Sequence, residues 1–139
     1  MSETLHLTCV AIGDAGVLIE GASGDGKSDL ALRLIDRGAV LVSDDYTIVT
    51  IEGDALIARP PPTLAGKIEV RGVGILPMEH RAEVRVHLLV TVSDDPPRLP
   101  PVSRTRQIAG VTIREIALSV LEPSAPIKVE LALGQELAR

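Results

Sequence analysis

The 139-residue chain has no phenylalanine and no tryptophan, and Tyr46 is its single aromatic residue. Binding of single-stranded nucleic acid relies on aromatic platforms for the bases, so that class is set aside. An adenine ring bound here would be held by aliphatic surface and backbone. Cys9 is the lone cysteine. An internal disulfide is therefore impossible, which fits a reducing cytoplasm, and Cys9 reads as a small buried hydrophobe on a strand. Basic charge is scarce too. The net charge of −5 is the opposite of the basic face that nucleic acid requires. No apolar run is long enough to span a membrane, and Met1-Ser2-Glu3-Thr4 lacks the regions of a signal peptide.

Lysine is rare, with three residues against eleven arginines. One of the three stands in Gly21-Ala22-Ser23-Gly24-Asp25-Gly26-Lys27-Ser28, which reads G-x-x-x-x-G-K-S. This is the pattern of a phosphate-binding loop. Gly21 and Gly26 let the backbone bend so that successive N–H groups converge on phosphate oxygens. Lys27 reaches the β- and γ-phosphates, and the Ser28 hydroxyl suits Mg²⁺. The flanks agree. Gly16-Val17-Leu18-Ile19 is a short apolar strand, and Leu30, Ala31, Leu34 and Ile35 share one helical face before Gly38. A helix N-terminus adds partial positive charge to such an anion site. The plain alternative is a glycine-rich turn that matches by chance.

The length suits one domain spanning residues 1–139, and a hydrophobic fraction of 45% is ample for a core. Strands are expected at 5–10, 17–19, 39–42, 68–70, 83–92 and 111–120. A hairpin is expected from 46–51 and 55–58 around Gly53-Asp54. Val84, Val86, Leu88, Val90 and Val92 alternate with polar residues, placing them on one face. Helices are expected at 27–37 and 125–137. The second starts at Ser124 and Pro126, although Ile127, Val129 and Leu131 also alternate as a strand would. Residues 98–110 read as a loop. Strands outnumber helices, so the class is α/β with a phosphate loop set into a mostly β scaffold.

Asp44-Asp45 follows the apolar strand 39–42. Carboxylates there can hold Mg²⁺ or accept a substrate proton. Adjacent residues on extended chain point to opposite sides, so the two are expected to do different jobs. Lys67, Glu69 and Arg71 share a strand face opposite Ile68 and Val70, and Gly72 and Gly74 would allow close backbone approach. Glu69 between two cations could ligate Mg²⁺ beside phosphate, or the face could simply be solvated. His6 lies in the first strand on the side of Thr8. His80 and His87 read as structural or solvated. Arg98, Arg104 and Arg106 lie in the loop, where arginines can stabilise transferring phosphate or merely meet water.

His6, the strand Gly16-Val17-Leu18-Ile19, the phosphate loop, Leu41-Val42-Ser43-Asp44-Asp45 and Ile68-Glu69-Val70-Arg71-Gly72-Val73-Gly74-Ile75, in this order, resemble the catalytic domain of HPr kinase/phosphorylase. The resemblance is good over residues 5–78. It implies a fold related to phosphoenolpyruvate carboxykinase, and a bacterial serine kinase that uses Mg²⁺ and ATP on the phosphocarrier HPr, commonly as a homohexamer. Carried over by motif, residues 21–28 bind nucleotide, with Lys27 on the β- and γ-phosphates. Ser28 and Glu69 bind Mg²⁺, Asp45 is the base, and Asp44 and His6 support it. Arg98, in Arg98-Leu99-Pro100, matches the family's downstream catalytic arginine.

The sequence departs from the family in several places. It resembles a short form that starts almost at the catalytic histidine. Leu121-Glu122-Pro123-Ser124-Ala125-Pro126 stands where the family has a glycine-arginine-asparagine segment tied to dephosphorylation, so phosphorolysis is not carried over. Asp25 replaces an apolar residue in the loop, and Asp29 replaces a glutamate after it. A kinase or hydrolase with another substrate, or a nucleotide sensor without turnover, remains open at this level.

Overall fold

The computed structural model describes residues 2–22, 24, 26–100 and 104–139. In chain order these form β1 (Ser2–Leu5), β2 (Leu7–Ile12), β3 (Ala15–Glu20), α1 (Lys27–Asp36), β4 (Val40–Ser43), β5 (Thr47–Glu52) and β6 (Ala55–Arg59). They continue as β7 (Lys67–Val70), β8 (Gly74–Pro77), β9 (Val84–Val92), β10 (Thr105–Ile108), β11 (Val111–Leu118) and α2 (Ala125–Leu137). A nine-stranded sheet runs β1-β5-β6-β9-β3-β2-β4, with β11 on β9 and β10 on β11. β7 and β8 make a separate two-stranded hairpin.

β9 is the centre. It runs parallel to β3 along one edge. Its other edge is shared by β6, antiparallel at Val84 and Arg85, and by β11, parallel from Leu88 to Val92. The register with β3 shifts where Gly16 pairs with Val86 and Val17 pairs with Leu88. An extra residue in one strand reverses every later side chain. Val84 and Val86 accordingly join one core cluster, while Leu88 and Val90 join the other. The expected single face from Val84 to Val92 is corrected by this bulge. Gly16 is required beside it, because a Cβ there would stand 2.7 Å from Val84 Cγ1 and 2.9 Å from the Arg85 carbonyl oxygen.

The sheet is buried on both faces. Leu30, Ala31 and Leu34 of α1 and Ala125, Val129 and Leu133 of α2 cover Val10, Val17, Ile19 and Leu41. Cys9, Leu18, Val42, Val49, Leu56 and Leu89 fill the opposite face. This explains the apolar reading of residues 17–19 and 39–42. Burial pushes the Cys9 thiol well above its ordinary pKa, so it is an inert packing group. In α2 the buried Ala125, Val129 and Leu133 follow helical spacing, and burial on that stripe decides against the competing strand pattern. Among the described residues no helix is long and apolar enough to cross a membrane.

Other expectations are corrected. The first strand breaks at His6 into β1 and β2. β8 pairs with β7, so Gly72 (φ 87°) serves the turn between them, and a Cβ at Gly72 or Gly74 would meet nothing within 4 Å. Residues 105–108 are a strand rather than part of a loop. β10 carries Arg106 to Glu20 at 2.9 Å and to Glu115 at 2.8 Å. Glu115 is buried, also accepts the Thr91 hydroxyl at 2.5 Å, and lies 3.5 Å from Arg104. Burial opposes its charge, but the Thr91 and Arg106 hydrogen bonds and the charges of Arg106 and Arg104 outweigh this and hold its pKa below the ordinary value.

A depressed carboxylate pKa contributes stability above the unfolded value and loses it as pH falls through the folded one. Glu115→Gln is therefore expected to cost roughly 1–3 kcal/mol at neutral pH. Thermal melts of both proteins check this: the gap should close as pH falls below about 4. A gap that stays constant through that range contradicts the assignment.

Candidate active site

β3 delivers the chain to Gly21, and α1 begins at Lys27. Gly26 takes a left-handed φ of 95° at the helix entrance, where a Cβ would also stand 3.0 Å from Val120 Cγ2. The Lys27 ammonium is buried. It donates to the carbonyls of Gly21 at 2.7 Å and Ala22 at 3.3 Å, and lies 3.9 Å from Asp45 Oδ1. Ser23 and Asp25, both expected in the nucleotide-binding loop, lie outside the described residues.

β4 ends at Ser43, and the two aspartates follow in a bend rather than on extended chain. Asp44 is buried, and its Oδ1 accepts the Ser28 hydroxyl at 2.6 Å and the Thr8 hydroxyl at 3.3 Å. Its Oδ2 accepts the Glu69 backbone N–H at 3.0 Å. Asp45 adopts φ 68°, a region that Asp tolerates better than most residues. Its own N–H donates to Thr8 Oγ1 at 3.0 Å. The two side chains do differ in environment, as expected, but a left-handed turn separates them and not strand alternation. Asp45 Oδ1 meets His6 Nε2 at 2.7 Å, with both side chains well exposed. Tyr46 stacks on the His6 ring, with centroids 4.9 Å apart and planes at 21°.

Two cavities flank this cluster. One, of about 270 Å³, is lined by Gly24, Gly26, Lys27, Ser28, Asp29, Glu69, Arg71, Val120 and Leu121. The other, of about 400 Å³, is lined by Ser28, Asp44, Asp45, Tyr46, Thr63, Leu64, Lys67, Glu69 and Ile75. Ser28 and Glu69 belong to both. A hydroxyl and a carboxylate are hard oxygen donors. They suit Mg²⁺, which takes one or two protein ligands and completes its shell with phosphate and water. Among the described residues no three His, Cys, Asp or Glu side chains group as a self-sufficient metal cage.

The fold thus brings together the described loop residues with His6, Asp44, Asp45, Glu69 and Arg71. Arg98 is placed elsewhere. It lines a cleft of about 680 Å³ beside α2, together with Arg114 and Lys128. Arg104 and Arg106 are spent on the carboxylates of Glu115 and Glu20. His80 packs against Gly66, where a Cβ would stand 2.9 Å from its Nδ1. His87 is half-buried, and burial, aided by Arg85, lowers its pKa despite Glu136. Thr8 was missed as a site residue, although its place two residues after His6 was the available signal.

A strand, a glycine-rich loop ending in Lys-Ser and a helix, beside a buried carboxylate, define a phosphate-binding-loop protein on a mostly β scaffold. The chain belongs to the HPr serine kinase C-terminal domain family, whose model matches residues 1–130. It is 36% identical over 129 residues to HPr kinase/phosphorylase of Burkholderia lata, covering 84% of this chain and 40% of that protein. The HPr kinase/phosphorylase of Burkholderia cenocepacia matches with the same identity and coverage. The chain thus spans 40% of the length of these curated relatives. The structure of the Hpr(Ser) kinase/phosphatase from Coxiella burnetii superposes with a TM-score of 0.83 at 29% identity, covering 98% of this chain and 97% of that one.

Because Asp44 satisfies three donors and Asp45 is half-exposed, the two should differ in stability cost. Asp44→Ala is expected to lose roughly 2–4 kcal/mol. Asp45→Asn, which keeps a residue tolerant of positive φ, is expected to lose under about 1 kcal/mol. Chemical denaturation measures both, and a reversed order would refute this division of roles.

Proposed function

We propose that this chain is the catalytic domain of a Mg²⁺- and ATP-dependent protein-serine kinase acting on an HPr-like phosphocarrier. The observation that carries the reading is the position of Asp45. Its carboxylate meets His6 at 2.7 Å and lies 3.9 Å from Lys27, on a cavity that shares Ser28 and Glu69 with the loop's own cavity. The nucleotide's phosphates belong in the cavity of Gly24, Gly26 and Lys27, and the acceptor hydroxyl belongs in that of Asp45.

In this mechanism the loop N–H groups and Lys27 hold the phosphates, and Lys27 faces charge that develops on transfer. Ser28 and Glu69 would hold Mg²⁺, which when bound would neutralise phosphate charge. Asp45 accepts the serine proton, within reach of the charge of Lys27. His6, backed by Tyr46, orients the Asp45 carboxylate, and Asp44 holds Ser28 and the Glu69 backbone in place. Support comes from the family and from the Coxiella burnetii structure, whose name records kinase and phosphatase activities on HPr(Ser). Arg98 lies away from Asp45 in this chain, so its proposed part in transfer requires a neighbouring copy in a homo-oligomer. A cytoplasmic setting suits a phosphocarrier substrate.

Lys27→Ala is expected to abolish phosphate transfer to HPr. Asp45→Asn is expected to slow transfer by roughly 10²–10⁴-fold while leaving nucleotide affinity nearly unchanged. Transfer of labelled phosphate, with the product serine located by mass spectrometry, measures both. Undiminished transfer in either variant rules out the assigned role.

A further inference from the structure

Leu121 is 88% exposed, yet it lines the same cavity as Gly24, Gly26, Lys27 and Ser28. Its neighbour Val120 is buried and packs over Gly26. The segment is fixed rather than loose. Arg33 of α1 donates to the Val120 carbonyl and, at 3.2 Å, to the Glu122 carbonyl. The same guanidinium binds Asp29 at 3.1 Å. Both carbonyls thus turn toward α1, and the Leu121 side chain is left at the mouth of the cavity.

We propose that Val120 and Leu121 form an apolar wall that seats the base of the bound nucleoside triphosphate without reading its identity. This rests on the assignment of the loop's cavity to the nucleotide. With the phosphates on the loop, the remainder of the nucleotide would lie in the part of the same cavity lined by Asp29, Val120 and Leu121. That is where Arg33 clamps residues 120–122. The polar lining belongs to the phosphate end: Lys27, Ser28 and Glu69 are placed there, and Arg71 Nη2 lies 3.9 Å from where a Gly24 Cβ would stand. Asp29 is engaged by Arg33. The chain's one aromatic ring is stacked on His6, in the other cavity's wall. Aliphatic contact rewards any flat ring, whereas strong discrimination between bases requires hydrogen bonds to their edges.

Equilibrium titrations of the full chain with Mg²⁺ and either ATP, GTP or inorganic tripolyphosphate test the wall. ATP and GTP are expected to bind within about threefold of each other. Leu121→Ser, neutral and at an exposed position, is expected to weaken both by roughly fivefold. It should leave tripolyphosphate, which has no base, within about twofold of the unaltered protein. Leu121→Met should restore nucleotide affinity. Equal ATP affinity with and without Leu121→Ser overturns the proposal, as does a preference above about tenfold for one purine. Failure of the unaltered protein to bind either ATP or tripolyphosphate overturns instead the phosphate-loop reading beneath it.

Discussion

The Asp44 carboxylate joins parts of the chain that are distant in sequence. It takes the hydroxyls of Thr8 in β2 and Ser28 in α1, and the backbone N–H of Glu69 in β7. A buried carboxylate is tolerable only when its oxygens are so satisfied. Satisfying them fixes the geometry of everything around it. Ser28 is turned toward β4, and the β7–β8 hairpin, which is outside the main sheet, is anchored where Glu69 can share a boundary with the phosphate loop. Thr8 then uses the same hydroxyl oxygen to accept the Asp45 N–H at 3.0 Å. That contact belongs to the left-handed turn at Asp45. One aspartate therefore spends its charge on architecture, and the turn beside it leaves the other free to face His6 and Lys27.

The proposed separation of donor and acceptor follows from the same arrangement. The two cavities meet at Ser28 and Glu69, which among the described residues are the only ones that line both. Under the proposed function, a metal held at such a boundary would meet phosphate on one side and the proposed base on the other. Lys27 is the remaining link. Its ammonium reaches the Gly21 and Ala22 carbonyls and stands 3.9 Å from Asp45. The one ammonium is thus tied to the loop and stands beside the aspartate that faces the other cavity.

Much of this was legible in the sequence because it rests on local chemistry. The loop, α1 with its Gly38 end and the β5–β6 hairpin follow from short motifs and apolar spacing, while the grouping of Asp44 and Asp45 with Glu69 came only with the family resemblance. What was not legible depends on pairing between distant strands. The Thr105–Ile108 strand has little apolar pattern, and is a strand because it pairs with β11 and because Arg106 finds Glu20 and Glu115. The face change in β9 comes from a bulge against Gly16, which its own regular alternation hides. The break at His6 likewise reflects two different partners, since β1 pairs with β5 and β2 with β3 and β4.

The placement of arginines bears on how charge is managed. Eleven arginines make it easy to find one near any expected position in the sequence. Geometry is more selective. Arg106 and Arg104 neutralise Glu20 and Glu115, Arg33 clamps residues 120–122 to α1, and Arg98 lines the cleft by α2. The guanidinium that lines the loop's cavity is that of Arg71, carried on the same hairpin as Glu69. A guanidinium pairs well with phosphate oxygens. The hairpin anchored by Asp44 thus carries both the carboxylate proposed for the metal and a guanidinium suited to phosphate, and its position relative to the loop governs both at once.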